Sequence, residues 1–198
     1  MRVSRTQAEA NRERVIDVAS RLFRRHGFDG IGLKDLMAAA GLTQGAFYKQ
    51  FASKEDLAAQ ATVRGYAGIR ERWRQFASQD PRRPLASLVR SYLSPEHRDE
   101  QAEGCVMAAL GADAARAGPA VRAAMQDGLV AHIDFLEACL PEDEPDRRER
   151  AMATAASMIG AIVLARSVND ETLSKEILDA SIRDILERHG GAPDRHTE

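Results

Sequence analysis

An all-α fold is expected for this 198-residue chain, and three observations predict it. Ala, Leu, Arg and Glu dominate, β-branched runs are absent and aromatics reach only 5%, a bias toward residues that lose little side-chain freedom in a helix. Apolar residues recur at i, i+3, i+4 and i+7 in successive segments, which lines them up on one helix face. The segments are separated by Gly and Pro steps of the kind that end and start helices. The length suits one large domain or two small ones with a core of their own.

A first helix is expected from about Gln7 to His26, with Val15, Ile16, Val18, Ala19, Leu22 and Phe23 inward and Gly27 at its end. Phe28 is expected to pack against the helices that follow. Residues 29–32 (DGIG) turn the chain. They are not a nucleotide loop, because no strand precedes them and Asp35 stands where a third Gly is needed. Leu33, Leu36, Met37 and Ala40 then form one stripe on a short second helix. Gly41 follows where a left-handed residue is required, a conformation only Gly adopts without steric cost. Thr43 is placed to cap the third helix through its hydroxyl. Phe47 and Phe51 point inward, leaving Thr43, Gln44, Gly45, Tyr48 and Lys49 outward.

Ser53 with Asp56 makes a capping box that opens a long fourth helix to about Ala77. Gly65 and Gly68 inside it serve either close packing or a bend. Asp80-Pro81 and Pro84 break the chain before a shorter helix to Leu93, and the polar run 94–104 reads as a surface loop. Helices at about 105–117 and 119–140 are divided at Gly118-Pro119, with Pro at a first-turn position. The acidic stretch 141–146 is a solvated loop, helices at about 147–168 and 171–189 follow, and 190–198 is a tail. Nine helices are expected in all.

A short helix that shows Thr, Gln, Tyr and Lys, with no apolar residue among them, suits a DNA groove. Charge supports this only when the chain is divided. Residues 1–55 carry ten Lys and Arg against six Asp and Glu, a net of +4, whereas the remainder carries 18 against 24, a net of −6. A basic first third beside an acidic remainder points to phosphate contact by the first part alone.

Residues 40–57, AGLTQGAFYKQFASKEDL, resemble the helix-turn-helix of the TetR family of bacterial transcriptional repressors, whose pattern is roughly A-G-[VL]-[ST]-x-G-x-[LIF]-Y-x-x-F-x-[ST]-K-[ED]-x-L. The resemblance covers about residues 8–57; beyond it only length and helical layout are similar. It implies a DNA-binding domain at 1–53, a helical dimerisation and ligand-sensing domain at 54–189, and a repressor of transcription. A cytoplasmic location is expected from the lack of a bilayer-spanning run and of a signal-peptide apolar core. Gln44 and Thr43 lie on the first turn of the reader helix, where Gln44 can bond adenine in bidentate fashion. Gly45 lets the backbone approach DNA, and Lys49 can reach a guanine or a phosphate. The resemblance gives Tyr48 a phosphate contact and Lys34 a base or backbone contact. Lys54, just after the Ser53 cap, can hold a phosphate together with nearby amides. Gly32 and Leu33 stand where many relatives have Thr, so a hydroxyl contact and cap are missing there. Arg2 and Arg5 form a candidate basic arm.

Ala155, Ile159, Ile162, Leu178, Ile182 and Ile185, on the last two helices, are candidates for a four-helix interface between two copies. The resemblance implies that homodimer, and a two-fold pair matches a pseudo-palindromic duplex operator. A small-molecule inducer is implied by resemblance alone; Trp73, Phe76, Tyr92, Met107, Met125, His132, Phe135 and Met158 are the bulky residues such a pocket can use, and each is also an ordinary core residue. Cys105 and Cys139 lack C-x-x-C spacing and read as reduced thiols. There is no apolar run of the ~20 residues needed to span a bilayer, and no Walker loop, H-E-x-x-H, G-x-S-x-G or clustered His ligands. Neither an enzyme nor a membrane protein is expected, and no cofactor or metal is. The rivals are a ligand-independent regulator of the same fold and a helical enzyme with a vestigial reader.

Overall fold

The computed structural model describes residues 4–190, so Arg2 of the candidate arm and tail residues 191–198 lie outside it. The described residues form ten helices and no strand: α1 Arg5–His26, α2 Leu33–Ala39, α3 Gln44–Phe47, α4 Lys54–Gln79, α5 Pro84–Tyr92, α6 Pro95–Asp99, α7 Val106–Ala114, α8 Pro119–Cys139, α9 Arg147–Ser167 and α10 Glu171–Arg188. The tenth, absent from the expected nine, is α6, inside the stretch read as a loop. Ser94 accepts from the His97 N–H at 3.2 Å and Pro95 occupies the first turn, so the start signal is ordinary. The periodicity is invisible because this one-turn helix buries a single residue, His97. No helix among the described residues is long and apolar enough to cross a membrane.

The described residues divide into two compact units: those up to Ile69 with Gln101–Gly128, and Arg70–Glu100 with those from Leu129 onward. In the first, Val15, Ile16, Ala19 and Phe23 of α1 pack with Leu36 and Met37 of α2 and Phe47 of α3. Phe28 meets Phe23 edge-on with centroids 5.4 Å apart. Arg64 of α4 pairs with Glu13 and Asp17 of α1, and the Arg12 guanidinium lies 5.3 Å from the Phe51 ring. Gly65 and Gly68, equivalent by sequence, serve different ends. A Cβ on Gly65 would stand 2.7 Å from Val106 Cγ2 and 3.0 Å from Ser20 Oγ, so this glycine sets the close approach of α1, α4 and α7. A Cβ on Gly68 would meet nothing within 4 Å.

In the second unit α9 and α10 pack along each other through Ala155, Met158, Ile162, Leu178 and Ile185. Asp170 caps α10 by accepting from Thr172 and Leu173 N–H at 2.8 and 3.1 Å. Arg166 of α9 donates to the Arg98 and His97 carbonyls of α6, both at 2.8 Å. Those carbonyls belong to the last turn of α6, which cannot bond them itself.

Candidate nucleic-acid interface

The turn between α2 and α3 is built as its residues demand. Gly41 takes φ +73° and donates to the Ala38 carbonyl at 2.9 Å, while Leu42 donates to the Met37 carbonyl at 2.9 Å. This paired closure at a helix end is the Schellman motif. It fixes the angle at which α3 leaves α2. Within α3, Phe47 is 1% exposed and stacks on Phe51 at 5.4 Å, so two rings anchor one side of a helix barely a turn long. The Phe51 amide bonds the Phe47 carbonyl at 3.0 Å, which carries the helical backbone past Phe47.

The opposite side faces water. Thr43, Gln44, Gly45, Tyr48 and Lys49 are all exposed, Tyr48 at 69%. A Cβ on Gly45 would meet nothing within 4 Å, so this glycine is not required by internal packing. Thr43 is the residue before α3 as expected, but its hydroxyl makes no capping hydrogen bond. The hydroxyl expected to satisfy a helix amide is instead left outward. Lys34 is exposed on the first turn of α2, and Gly32 precedes that helix with no side-chain cap.

At the start of α4 the capping box forms. Ser53 Oγ accepts from the Asp56 amide at 3.0 Å, and the Asp56 carboxylate accepts from the Ala52 amide at 3.0 Å and from Gln60 Nε2 at 2.7 Å. Asp56 is thereby committed internally. The Lys54 and Glu55 amides have no intrahelical acceptor at this N-terminus. Lys54 itself is half-buried and lines a cleft of about 280 Å3 with Phe28, Asp29, Glu55 and Arg116. Of the predicted DNA contacts it is the least exposed.

The sequence charge count overstates what phosphate can reach. Arg24 is 6% exposed and donates to the Gly104 carbonyl at 3.2 Å, Arg21 pairs with Glu103 at 2.7 Å, and Arg12 is taken by Phe51 and Gln60. Arg24 and Arg12 are thus structural, whereas Arg21 keeps a 60% exposed side chain. The signal that separates them is helical phase, since Arg24 follows Phe23 on the buried side of α1.

The interface candidates divide. Ala155, Ile162, Leu178 and Ile185 are buried within the subunit's own core, and Ile159 and Ile182 are half-buried. The large apolar residues on α9 that remain exposed are Met152, Val163 and Leu164. With the half-buried Ile159, Met152 and Val163 fall on one face at steps of seven and four. The ligand candidates divide as well. Met107 and Met125 belong to the first unit. In the second, Trp73 stacks on His132 with centroids 4.2 Å apart and meets Tyr92 and Phe135 at 5.9 Å each. Burial holds His132 and His97 neutral, with pKa values near 4. Phe76 lines a separate cleft of about 450 Å3 with Arg72, Ser91 and His97, and Met158 is buried. Neither Cys105 nor Cys139 forms a disulfide, and burial raises the Cys139 thiol to about 11.

A polar helix face carrying a bare glycine, held on two stacked rings and set by a fixed glycine turn, has the build of a DNA-binding helix-turn-helix. Residues 15–61 match the family model described as bacterial regulatory proteins, tetR family. The regulator AcrR of Shigella flexneri is 32% identical over 87 residues, 44% of this chain and 40% of AcrR, so this chain aligns with well under two thirds of AcrR's length. The regulator LmrA of Bacillus subtilis is 24% identical over 90% of this chain and 97% of LmrA. The crystal structure of reduced Escherichia coli NemR superimposes with a TM-score of 0.76 at 22% identity, covering 90% of this chain and 97% of NemR. Residues 15–61 thus carry a DNA-binding domain of the tetR family, and the chain as a whole shares the fold of a tetR-family regulator from Agrobacterium tumefaciens, with a TM-score of 0.75.

Proposed function

We propose that the protein is a homodimeric repressor in which residues 1–53 read a pseudo-palindromic operator and 54–189 pair the copies and sense a small molecule that releases the DNA. The observation that carries the reading is the outward face of α3, where five polar or glycine positions stand exposed above Phe47 and Phe51. Gln44 reads a base edge, Thr43 and Lys49 flank it, and Tyr48, Lys34 and Lys54 hold phosphates. The basis for repression is that a relative, NemR of Escherichia coli, 26% identical over 65% of this chain, is described as a transcriptional repressor. Release requires the inducer to bind the free protein more tightly than the DNA-bound one. The ring cluster of Trp73 with His132, Tyr92 and Phe135 favours a second reading, a filled core without an inducer.

Selection of random duplex DNA by the purified protein tests the first reading, and an enriched inverted repeat is the expected result. On that site Lys54→Ala is expected to weaken binding for every sequence, with a salt slope smaller by about one. Gln44→Ala is expected to relax preference at one or two base pairs, at about 1–3 kcal/mol. Wild-type affinity and selectivity in both variants would reject the reader assignment.

The two-fold pair is placed on the face of α9 that carries Met152, Ile159 and Val163, because Ala155, Ile162, Leu178 and Ile185 are consumed within the subunit. Val163→Glu sets two like charges into that face. The variant is expected to run as a monomer in light scattering while keeping its helical circular dichroism, since Val163 is already exposed. A dimer that survives both Val163→Glu and Met152→Glu pairs elsewhere.

A further inference from the structure

The second unit holds a cleft of about 480 Å3 at the start of α5 and the ends of α8 and α10, and none of the eight ligand candidates lines it. Its volume lies in the range of small-molecule sites. Leu85, Leu140 and Leu186, all buried, give it an apolar floor. Its rim carries two arginines, Arg82 and Arg83, and one carboxylate, Glu142. Arg83 is engaged by Asp80 at 3.2 Å, but the neighbouring Arg82 uses only its backbone amide on Asp80, and its exposed guanidinium forms no ion pair among the described residues. The far wall carries His189, whose side chain is only 5% exposed. Its Nε2 bonds Thr154 Oγ1 at 2.9 Å, while its Nδ1 makes no hydrogen bond, the Glu144 carboxylate standing 3.9 Å away.

An apolar floor beside one uncommitted guanidinium is what a ligand with an anionic head and an apolar body satisfies together. We propose that this cleft binds an amphipathic organic carboxylate, with Arg82 on the carboxylate and the apolar body against Leu85, Leu140 and Leu186. A guanidinium presents two parallel N–H donors to a carboxylate, which an uncharged head group cannot match. The lining residues all belong to the second unit and include none of α3, so occupancy is measured without DNA.

The test is calorimetric titration of the full chain with decanoate, and with decanol as the uncharged control. Decanoate is expected to bind saturably at one per chain and at least tenfold more tightly than decanol. Affinity is expected to rise by up to about fourfold per methylene from hexanoate to decanoate. Arg82→Ala should weaken decanoate about tenfold and leave decanol unchanged. Ala138→Trp, at an exposed alanine that lines the cleft, should abolish both. Because both side chains are exposed, the variants should keep the wild-type melting curve. Absence of saturable decanoate binding overturns the proposal, and so does binding that both variants leave unaltered. Either result leaves operator selection untouched, just as failed selection would leave this titration unaffected.

Discussion

Gly45→Glu is expected to lower operator affinity by at least a hundredfold while leaving the melting temperature unchanged or slightly higher. A Cβ at Gly45 meets nothing within 4 Å inside the protein. The position is exposed and helical, where replacing Gly with a better helix former gains up to about 1 kcal/mol. The negative charge also sits in the first turn of α3, where it favours the helix dipole. Folding therefore has no reason to suffer. Against DNA the same side chain introduces a carboxylate between the groove wall and the backbone of the reader helix, where it repels phosphate and displaces Gln44 from the base edges. Gly45→Ala is the graded version, in which one methyl group at the closest approach costs less than the charge. Electrophoretic shift on the selected operator, with a thermal melt of the same preparation, separates the two effects. Wild-type binding by Gly45→Glu would mean that α3 does not lie against DNA.

The reader was legible because its determinants are local. Gly41 had to be left-handed, Phe47 and Phe51 had to share a face, and Ser53 with Asp56 had to cap α4, each requirement being met within a few residues. What the sequence left open depends on partners distant along the chain. α9 is rich in small apolar residues on several sides, so periodicity alone does not say whether Ile162 or Val163 faces α10. The structure buries the first and leaves the second at 40% exposure. α6 was illegible for the opposite reason, since a helix that buries one residue has no period. The arginines of α1 and α4 show the same limit. A count of charge treats Arg24 as a phosphate ligand, yet its guanidinium is spent on Gly104, eighty residues away. Thr43 marks the boundary between these cases, because the residue that precedes α3 was legible while the direction of its hydroxyl was not.

Gly128→Ala and Gly68→Ala are expected to move stability in opposite directions, although both replace a glycine in the interior of a long helix. By propensity alone each gains up to about 1 kcal/mol. At Gly68 that gain is kept, because the residue is exposed and an added methyl meets nothing within 4 Å. At Gly128 the methyl would land on the Tyr66 ring, overlapping Cγ, Cδ2 and Cε2 together. A flexible side-chain end would swing aside, but an aromatic ring moves as a plate, and Tyr66 is 6% exposed with its phenol pushed upward by burial. The ring then has to displace α8 or its own neighbours, an overpacking cost of about 1–3 kcal/mol that exceeds the helical gain. Gly128→Ala is expected to lose about 2 kcal/mol overall, a fall of roughly 4–8 °C in melting temperature for a chain of this size. Gly68→Ala should rise by a few degrees. Adding Tyr66→Leu to Gly128→Ala supplies the decisive comparison, since a smaller side chain relieves the overlap. The double variant should then lie closer to Tyr66→Leu alone than additivity allows. Additive effects would show that the ring and Gly128 do not meet.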